Sequence, residues 1–350
     1  MENNYRLTEF ARGSGCGCKI SPQVLATILQ GQQQPFYHLL KAGNAHNEDA
    51  AVWAWSEEEY LISTTDFFTP LVNDAFVFGQ VAAANALSDV YAMGGNPLMA
   101  LAILGWPIDK LPPELAKQVM EGAQTICNKV GIPIAGGHSI DSAEPVFGLS
   151  VNGRVKAVNL KNNHAAKPGN LLLMTKPIGT GILASACKKG LLAASDEALW
   201  FEQITQVNTI GSKVADIPGV TAMTDITGFG LVGHVLEMAK GSNLTVTINY
   251  SLIPVIAAAK SYMAQNCIPD ATYRNWNAYQ PDLQINAGVP MMEAFKLLPD
   301  PQTNGGLLIA VNEQSLPALQ AVLATNGYEA FTQPIGYFTE KKEKFLVVNN

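Results

Sequence analysis

The segment from Gly13 to Lys19 carries two thiols and one ammonium group within seven residues. Its three glycines give a flexible backbone that can come close to a ligand. A thiolate is a strong nucleophile, and a neighbouring lysine lowers the pKa of a cysteine. The ammonium group of Lys19 can also hold a phosphate as a point charge. The segment therefore predicts a soft nucleophile beside a phosphate-binding group.

Three other interpretations of this segment are weaker. Cys16 and Cys18 have the spacing of half a zinc site, but the other half is absent because the remaining three cysteines are isolated in the sequence. A disulfide between residues so close has poor geometry. The pattern of a phosphate-binding loop also fails, because Cys18 stands where glycine is needed and Ile20 follows the lysine.

Four aspartates form a second group of chemically useful residues. Asp49, Asp66 and Asp225 lie at the edges of predicted strands, and Asp89 shares a helix face with Asn85, four residues earlier. Each aspartate alone is more often a cap or turn residue. Mg²⁺ uses one or two carboxylates together with phosphate oxygens and water, so carboxylates from separate elements suit a Mg–nucleotide site. Spacing in the sequence does not show that they converge.

Glycine-rich segments provide further candidate phosphate contacts. We predict turns over 136–141 and 300–306, and the first would offer backbone N–H groups and a hydroxyl to phosphate oxygens. The pattern Gly228-x-Gly230-x-x-Gly233 resembles a dinucleotide-binding fingerprint. That fingerprint requires an acid about 20 residues further on, which this sequence lacks. A Rossmann site is therefore disfavoured.

Apolar periodicity predicts strands and helices that do not alternate strictly, so we expect an α+β fold. A first helix should begin at Ser21-Pro22 and end at Gly31. The segment over 275–286 is polar and is expected to be irregular. The predicted strands cover 51–55, 60–65, 99–106, 147–155, 171–175, 220–223, 244–249, 307–311 and 345–348. The other predicted helices cover 78–93, 112–130, 177–188, 198–215, 231–240 and 315–326.

The polar stretch over 156–169 predicts a domain boundary. Residues 1–45 should form a mobile N-terminal lead with a short helix, and two α+β domains should follow over 46–157 and 168–350. A chain of 350 residues, 48% of them hydrophobic, is long enough for two cores.

Charge and cysteine usage exclude several classes of function. The net charge is −7 and no run is rich in lysine or arginine, which argues against nucleic acid or an anionic membrane as the main partner. No stretch of about 18 apolar residues predicts a membrane span, and the first ten residues lack the apolar core of a signal peptide. Five unclustered cysteines fit a reducing compartment. We expect a cytoplasmic enzyme or binding protein.

The sequence resembles the class I selenophosphate synthetases (selenide, water dikinases) of the AIR-synthetase-like (PurM-like) superfamily. The resemblance runs from about Arg6 to the C-terminal strand. It implies an N-terminal ATP-binding α+β domain, a C-terminal α+β domain, and a homodimer in which the N-terminal sheets join in a shared barrel. The matching segments are 13–19, 47–52, 64–68, 85–95, 104–107, 136–141, 223–230 and 300–306.

The resemblance implies a reaction of selenide, ATP and water that gives selenophosphate, phosphate and AMP, and so supplies selenium for selenocysteine and selenouridine synthesis. It makes Cys16 and Lys19 catalytic, whereas the role of Cys18 is less secure. It implies Mg²⁺ as a cofactor with K⁺ as a further candidate, and a selenium-delivery protein as a candidate partner. The implied Mg²⁺ ligands are Asp49, Asp89 and Asp225, and the implied ATP contacts are Lys19, His46, Asn47, Glu48, Asp66, Asp89, Gly137, His138 and Ser139. Glu48 stands where some members carry aspartate.

Two alternatives stay open. One is a different ATP-dependent enzyme of the AIR-synthetase-like fold, although such enzymes lack the Gly-Cys-Gly-Cys-Lys lead. The other is a non-catalytic selenium or metal carrier built on Cys16 and Cys18, which would not need three dispersed aspartates. AMP formation that depends strictly on selenide distinguishes all three.

Overall fold

The computed structural model describes residues 5–20, 22–30, 36–43 and 47–350. Two mixed β-sheets, each packed against helices, confirm the predicted α+β class. The proposed first and last residues of the N-terminal helix, Ser21 and Gly31, lie outside the described residues, and helix α1 is described over Pro22–Leu29.

The first sheet has six strands among the described residues, in the order β1-β2-β3-β6-β4-β5. Its neighbours are antiparallel except for β4 and β5, which are parallel. The strands are β1 (Leu40–Ala42), β2 (Ala51–Ala54), β3 (Glu59–Phe68), β4 (Asn96–Trp106), β5 (Ile134–Asp141) and β6 (Val146–Lys156).

Helix α2 (Ala75–Ala92) packs on β3 and β6 of this sheet, and α3 (Pro113–Lys129) packs against α2. They touch through glycine backbones. A Cβ on Gly79 would lie 1.8 Å from the carbonyl oxygen of Val119, and a Cβ on Gly122 would lie 1.9 Å from that of Phe76. Only glycine allows this approach. The contact fixes the distance between α3 and α2, which carries Asn85 and Asp89.

The other face of the first sheet is open and carries several large apolar side chains among polar ones. Five large side chains on this face are 39–59% exposed. They are Trp53, Phe67, Met99, Leu101 and Ile140.

The second sheet has seven strands among the described residues, in the order β10-β13-β9-β12-β7-β11-β8. Its strands are β7 (Leu171–Met174), β8 (Val220–Asp225), β9 (Leu244–Asn249), β10 (Leu283–Ile285), β11 (Leu307–Val311), β12 (Gly336–Glu340) and β13 (Leu346–Asn349). The helices of this half are α4 (Thr180–Lys188), α5 (Ala194–Thr205), α6 (Ile210–Ala215), α7 (Gly230–Gly241), α8 (Ala259–Ala264), α9 (Asp270–Tyr279), α10 (Met291–Leu297) and α11 (Leu316–Thr325).

The predicted turn over 136–141 is wrong, because these residues belong to strand β5. Their backbone pairs in parallel with β4. A Cβ on Gly137 would lie 2.2 Å from the carbonyl oxygen of Ala102, so the glycine allows two strands to approach closely. Pairing with the sheet overrides the local preference of glycine for turns.

The predicted single helix over 198–215 is also wrong, because it is broken between α5 and α6. The Gln206 carbonyl accepts hydrogen bonds from Lys176 Nζ (2.7 Å) and Asn304 Nδ2 (2.9 Å). Asn208 Nδ2 donates to Ser88 Oγ and to the Gly305 carbonyl, both at 2.8 Å. These long-range bonds replace the helical ones.

Six further elements were not predicted. Helix α9 and strand β10 overlap the segment over 275–286 that was expected to be irregular, and no element was predicted at β1, α8, α10 or β12. No helix in the described part of the chain has both the length and the apolar character needed to cross a membrane.

Candidate active site

Two cavities flank the segment Gly13–Lys19. The first, of about 580 Å³, is here called the carboxylate cavity because Asp49, Asp66, Asp89 and Asp225 line it. The second, of about 660 Å³, is called the cationic cavity because its lining includes Arg12, Lys188, Lys189 and Arg274. Lys19 lines the first, whereas Gly13, Ser14, Gly17 and Cys18 line the second. The segment therefore separates the two spaces.

The segment is docked against both halves of the chain. Gly15 donates its N–H to the Thr69 carbonyl at 3.0 Å, and its φ of +51° favours glycine. Residues Cys16–Cys18 form a short 3₁₀ turn. The Cys16 N–H donates to Thr303 Oγ1 at 3.0 Å, and a Cβ on Gly228 would lie 2.6 Å from the Cys16 carbonyl oxygen. The reactive residues thus depend on contacts from the C-terminal half.

Cys16 is fully buried and its Sγ lies 3.4 Å from Asn85 Oδ1. The sequence predicted that Lys19 would lower the pKa of this cysteine. Lys19 does act in that direction, but burial is the largest influence and, with Asp66, raises the pKa of Cys16 well above its usual value. In this state Cys16 is a thiol that donates a hydrogen bond. Cys18, by contrast, is exposed.

Lys19 reaches the opposite side of the segment, into the carboxylate cavity. Its Nζ lies 3.6 Å from Asp66 Oδ1, and about a third of the side chain (34%) is exposed. Burial lowers the pKa of Lys19, but attraction to Asp66, Cys16 and the other carboxylates outweighs it and raises the pKa overall. Lys19 is therefore a stable cation at the edge of the cavity.

Asn85 connects the two predicted catalytic residues. Its Nδ2 donates to Asp66 Oδ2, and its Oδ1 accepts from the Cys16 thiol and from the Asn304 N–H at 2.7 Å. Asn85 thereby holds both the thiol and the carboxylate that pairs with Lys19. Its place on the helix face of Asp89 was noted in the sequence, but its role was not predicted.

The structure brings the three predicted metal ligands to one cavity. Asp49 precedes β2, Asp89 lies on α2, and Asp225 ends β8. Asp49 Oδ1 accepts from Thr224 Oγ1 at 2.7 Å, and Asp89 Oδ2 accepts from Thr64 Oγ1. Two β-strand threonines, which the sequence analysis did not select, thus orient two of the carboxylates.

Burial raises the pKa of all three metal-ligand candidates. Repulsion from Asp225 also raises the pKa of both Asp49 and Asp89. For Asp225, His234 and Lys19 oppose the effect of burial. A bound cation would relieve this accumulation of negative charge.

The donor set fits a divalent cation that carries further ligands of its own. The Oδ2 atoms of Asp49 and Asp225 are buried and have no hydrogen-bond partner among the described residues. No three His, Cys, Asp or Glu side chains of the described ranges already form a metal site. Phosphate oxygens and water would therefore have to complete the coordination, as is usual for Mg²⁺.

The remaining predicted nucleotide contacts lie in different parts of the structure. His46 lies outside the described residues. Asn47 is exposed at the carboxylate cavity, and its carbonyl accepts from Asn163 Nδ2 at 2.9 Å. The side chain of Glu48 lines the cavity but accepts from the Asn163 N–H at 3.0 Å and contacts His164. Glu48 therefore also links the residues just before β2 to the connection between the two sheets, which contains Asn163 and His164.

Gly137, His138 and Ser139 do not line the carboxylate cavity of this chain. They lie on β5, at the edge of the first sheet, where all three are exposed. Within a single chain they stand apart from the aspartates. Their assignment as nucleotide contacts stays a prediction.

Sequence reasoning also missed Lys176, which is buried behind the site. Its Nζ donates to the carbonyls of Gln206 (2.7 Å) and Asn304 (2.9 Å). Burial lowers the pKa of Lys176 to about 7. Asn304 has a φ of +50° and connects Lys176 to Asn85. A single lysine after a strand carries no signal for such a role.

Family models match both halves of the chain. Residues 47–155 match the N-terminal domain of AIR synthase related proteins, and residues 167–349 match their C-terminal domain. A selenide, water dikinase of Yersinia pseudotuberculosis serotype I is 50% identical over 98% of this chain and 97% of its own length. One of Pseudomonas putida is 47% identical over 99% of this chain and 100% of its own. This chain belongs to the selenide, water dikinase family.

Solved structures show the fold of this selenide, water dikinase family member in more distant proteins. Thiamine-monophosphate kinase from Stenotrophomonas maltophilia K279a superposes with a TM-score of 0.64 at 16% identity, covering 93% of this chain and 94% of the other. Hydrogenase maturation protein HypE in complex with ATP also gives 0.64 at 16% identity, covering 98% and 94%. At such identities the likeness concerns the fold alone.

Proposed function

We propose that this chain converts selenide, ATP and water to selenophosphate, phosphate and AMP. One observation carries the proposal beyond family membership. The Cys16 thiol and the Asp66 carboxylate that pairs with Lys19 are held by one amide, that of Asn85, beside a cavity lined by three further aspartates. A soft nucleophile and a phosphate-binding cation thus meet at one site. The product would supply selenium for selenocysteine and selenouridine synthesis.

The chemistry requires two displacements at phosphorus. Hydroselenide forms a P–Se bond with the γ-phosphorus of ATP as the P–O bond to ADP breaks. Water then attacks the β-phosphorus of ADP, and the bond to AMP breaks with release of phosphate. Lys19, at the edge of the carboxylate cavity, stabilises charge on the transferring oxygens. A docked segment would hold selenophosphate in the site until ADP is hydrolysed.

Asp49, Asp89 and Asp225 would hold Mg²⁺, which would neutralise and orient the phosphates of ATP. The unpartnered, buried oxygens of Asp49 and Asp225 support this assignment. K⁺ is a second candidate cofactor. Replacing K⁺ with Na⁺ in the assay tests whether turnover depends on it.

We also propose a homodimer formed through the open face and the β5 edge of the first sheet. Large apolar side chains exposed on one face are typical of an interface. Because Gly137, His138 and Ser139 do not line the cavity of their own chain, contacts from them to ATP would have to come from a second copy. Leu101→Asp, on the open face, should give a monomer in light scattering, whereas Leu191→Asp, at an exposed position of the other half, should not change the mass. An unchanged mass for Leu101→Asp contradicts the dimer.

The function is tested by anaerobic incubation with Mg–ATP, with and without selenide. We expect ³¹P NMR to show selenophosphate, and chromatography to show AMP only when selenide is present. AMP or ADP formation without selenide would indicate a different ATP-dependent enzyme of the same fold. Selenide binding without any turnover would indicate a carrier.

A further inference from the structure

The loop over 300–306, here called the anchor loop, connects α10 to β11. It contacts both the reactive segment and the N-terminal half of the chain. Thr303 Oγ1 accepts a hydrogen bond from the Cys16 N–H at 3.0 Å. The next residue, Asn304, donates its N–H to Asn85 Oδ1 at 2.7 Å, and the same oxygen accepts from the Cys16 thiol. Two adjacent residues of the anchor loop therefore hold the backbone of Cys16 and, through Asn85, its thiol.

The anchor loop is itself fixed to the turn that follows β8. Ile226 donates its N–H to the Gly306 carbonyl, and Gln302 donates its N–H to the Thr227 carbonyl, both at 2.9 Å. A Cβ on Gly305 would lie 2.2 Å from the carbonyl oxygen of Ile226, so the two backbones touch. The anchor loop thus sets the position of Cys16 relative to the aspartate that ends β8.

The first turn of helix α4 supports Thr303 from behind. Gln302 Oε1 accepts from the N–H groups of Gly179 (3.0 Å) and Thr180 (3.1 Å), which have no partner within the helix. Thr180 Oγ1 donates to the same oxygen at 2.9 Å and accepts the Thr303 N–H at 3.2 Å. Gln302, Thr180 and Thr303 are all buried. The Thr303 backbone is therefore locked to α4.

The other end of α4 holds an earlier part of the N-terminal lead. Lys188 Nζ donates to the carbonyls of Ala11 (2.8 Å) and Arg12 (3.2 Å). Arg6 donates in the opposite sense, to the carbonyls of Cys187 (3.2 Å) and Lys188 (3.4 Å). The lead is thus attached at both ends of one helix, and Thr303 is the attachment next to the reactive thiol.

The Thr303 hydroxyl fits closely into the reactive segment. A Cβ on Gly15 would lie 2.5 Å from Thr303 Oγ1, so only glycine leaves room for the hydroxyl at this position. Burial is the largest influence on the pKa of Cys16 and raises it, whereas Lys19 and Thr303 lower it. A hydrocarbon side chain at position 303 would leave the buried Cys16 N–H without its acceptor, which is unfavourable.

We propose that Thr303 is a positioning residue for the reaction, whose hydroxyl keeps Cys16 and the rest of the reactive segment docked. The inference rests on the proposed function and adds a residue of the C-terminal half to its site. Thr303 forms and breaks no covalent bond. Without the hydroxyl, the segment leaves its docked position more often, so fewer complexes with ATP are productive. Other side chains hold the aspartates, so ATP binding should change little.

Steady-state kinetics provide the first test. Thr303→Val removes the hydroxyl and should lower kcat about tenfold while the KM for ATP stays nearly constant. Thr303→Ala, which leaves no methyl group beside Gly15, should give the same loss. Thr303→Ser keeps the hydroxyl and should retain most of the wild-type rate. A wild-type kcat in the valine or alanine variant, or a serine variant as slow as these, overturns the inference.

Thr245→Val is the matched control. Thr245 is also buried, and its Oγ1 also accepts a backbone N–H, from Lys342 at 2.8 Å, but it lies on β9 of the second sheet. This variant should lose stability in urea titrations and keep the wild-type kcat. A loss of kcat equal to that of Thr303→Val would assign the effect to general destabilisation and reject the positioning role.

Hydrogen exchange separates this inference from the proposed function. Measured by mass spectrometry on residues 13–19 without ATP or selenide, exchange should be several-fold faster in Thr303→Val than in the wild-type protein, Thr303→Ser or Thr245→Val. Equal exchange in Thr303→Val and the wild-type protein overturns the inference. Faster exchange in Thr303→Val, together with a wild-type protein that makes no AMP, would uphold the role of Thr303 in docking and reject the proposed function.

Discussion

The two cavities beside Gly13–Lys19 are built in different ways. The carboxylate cavity brings together buried acids from distant elements, and threonines or an asparagine fix three of them. The cationic cavity is lined by cations held on backbone carbonyls, and one of them, Arg12, is almost fully exposed. The first holds its charges at fixed positions, whereas the second presents an excess of positive charge with less rigid support. Substitutions should therefore reduce turnover most strongly in the first.

The largest effect is expected from Asp225→Asn in the carboxylate cavity. Asparagine keeps the size and one acceptor oxygen but removes a charge that would bind Mg²⁺. Turnover should fall at least about 100-fold, and Mg–ATP affinity should fall with it. Isothermal titration and AMP release measure both. Asp109→Asn, at an exposed position, is the control. Unchanged Mg–ATP affinity in Asp225→Asn would restrict the site to the N-terminal half.

Lys19→Ala should also lower turnover about 100-fold, because the cation that pairs with Asp66 at the edge of the carboxylate cavity is lost. Lys19→Arg should restore only part of the rate, since a planar guanidinium does not replace a compact ammonium. Rates of AMP release measure both the loss in Lys19→Ala and the partial recovery in Lys19→Arg. Full activity of Lys19→Arg would show that Lys19 needs only its charge.

Cys16→Ser and Cys18→Ser compare the buried and the exposed thiol. Serine at position 16 can still donate to Asn85, so folding and ATP binding should persist while selenophosphate formation is lost, because a hydroxyl binds selenium poorly. Cys18→Ser should reduce the rate much less. Selenophosphate production by Cys16→Ser at the wild-type rate would reject a nucleophilic role for this thiol.

Asn85→Ala should give a smaller loss of activity, about tenfold in kcat, because Asp66 and the Cys16 thiol lose a common partner. It also leaves the Asn304 N–H unpaired, which costs about 1–3 kcal/mol of stability. A positioning role predicts a lower kcat with a nearly constant KM for ATP. A change in stability alone, at constant kcat, would mean that Asn85 is only structural.

The smallest effect on activity is expected for Lys176→Met, which should instead change the pH dependence of stability. The folded pKa of about 7 lies below the unfolded value of about 10.4. Between these values the unfolded state binds more protons, so the free energy of unfolding of the wild-type protein should rise with pH. Urea titrations between about pH 6 and pH 9 should show a flatter profile for Lys176→Met. Lys129→Met, an exposed change, should keep the wild-type slope.

Part of this site was accessible from the sequence. Asp49, Asp89 and Asp225 carry a recognisable setting, at the edges of strands and on a polar helix face, and the structure places them in one cavity. Their orientation was not accessible, because it depends on threonines in strands, where threonine is common for other reasons.

The parts that were not predicted depend on long-range pairing. The break between α5 and α6 follows from bonds between Gln206 and residues 30 and 98 positions away in the chain. Strand β5 forms despite two adjacent glycines because β4 offers a partner. Periodicity describes only neighbours in sequence, so it cannot report either contact.

The glycine contact between α2 and α3 also has a mechanical consequence. Where backbone meets backbone, no deformable layer of side chains lies between the helices, and close-packed interiors have low compressibility. Hydrostatic pressure acts mainly on internal voids, and a contact between backbones holds none, so α2 and α3 should keep their spacing under pressure. Asn85 and Asp89 should therefore keep their positions relative to α3.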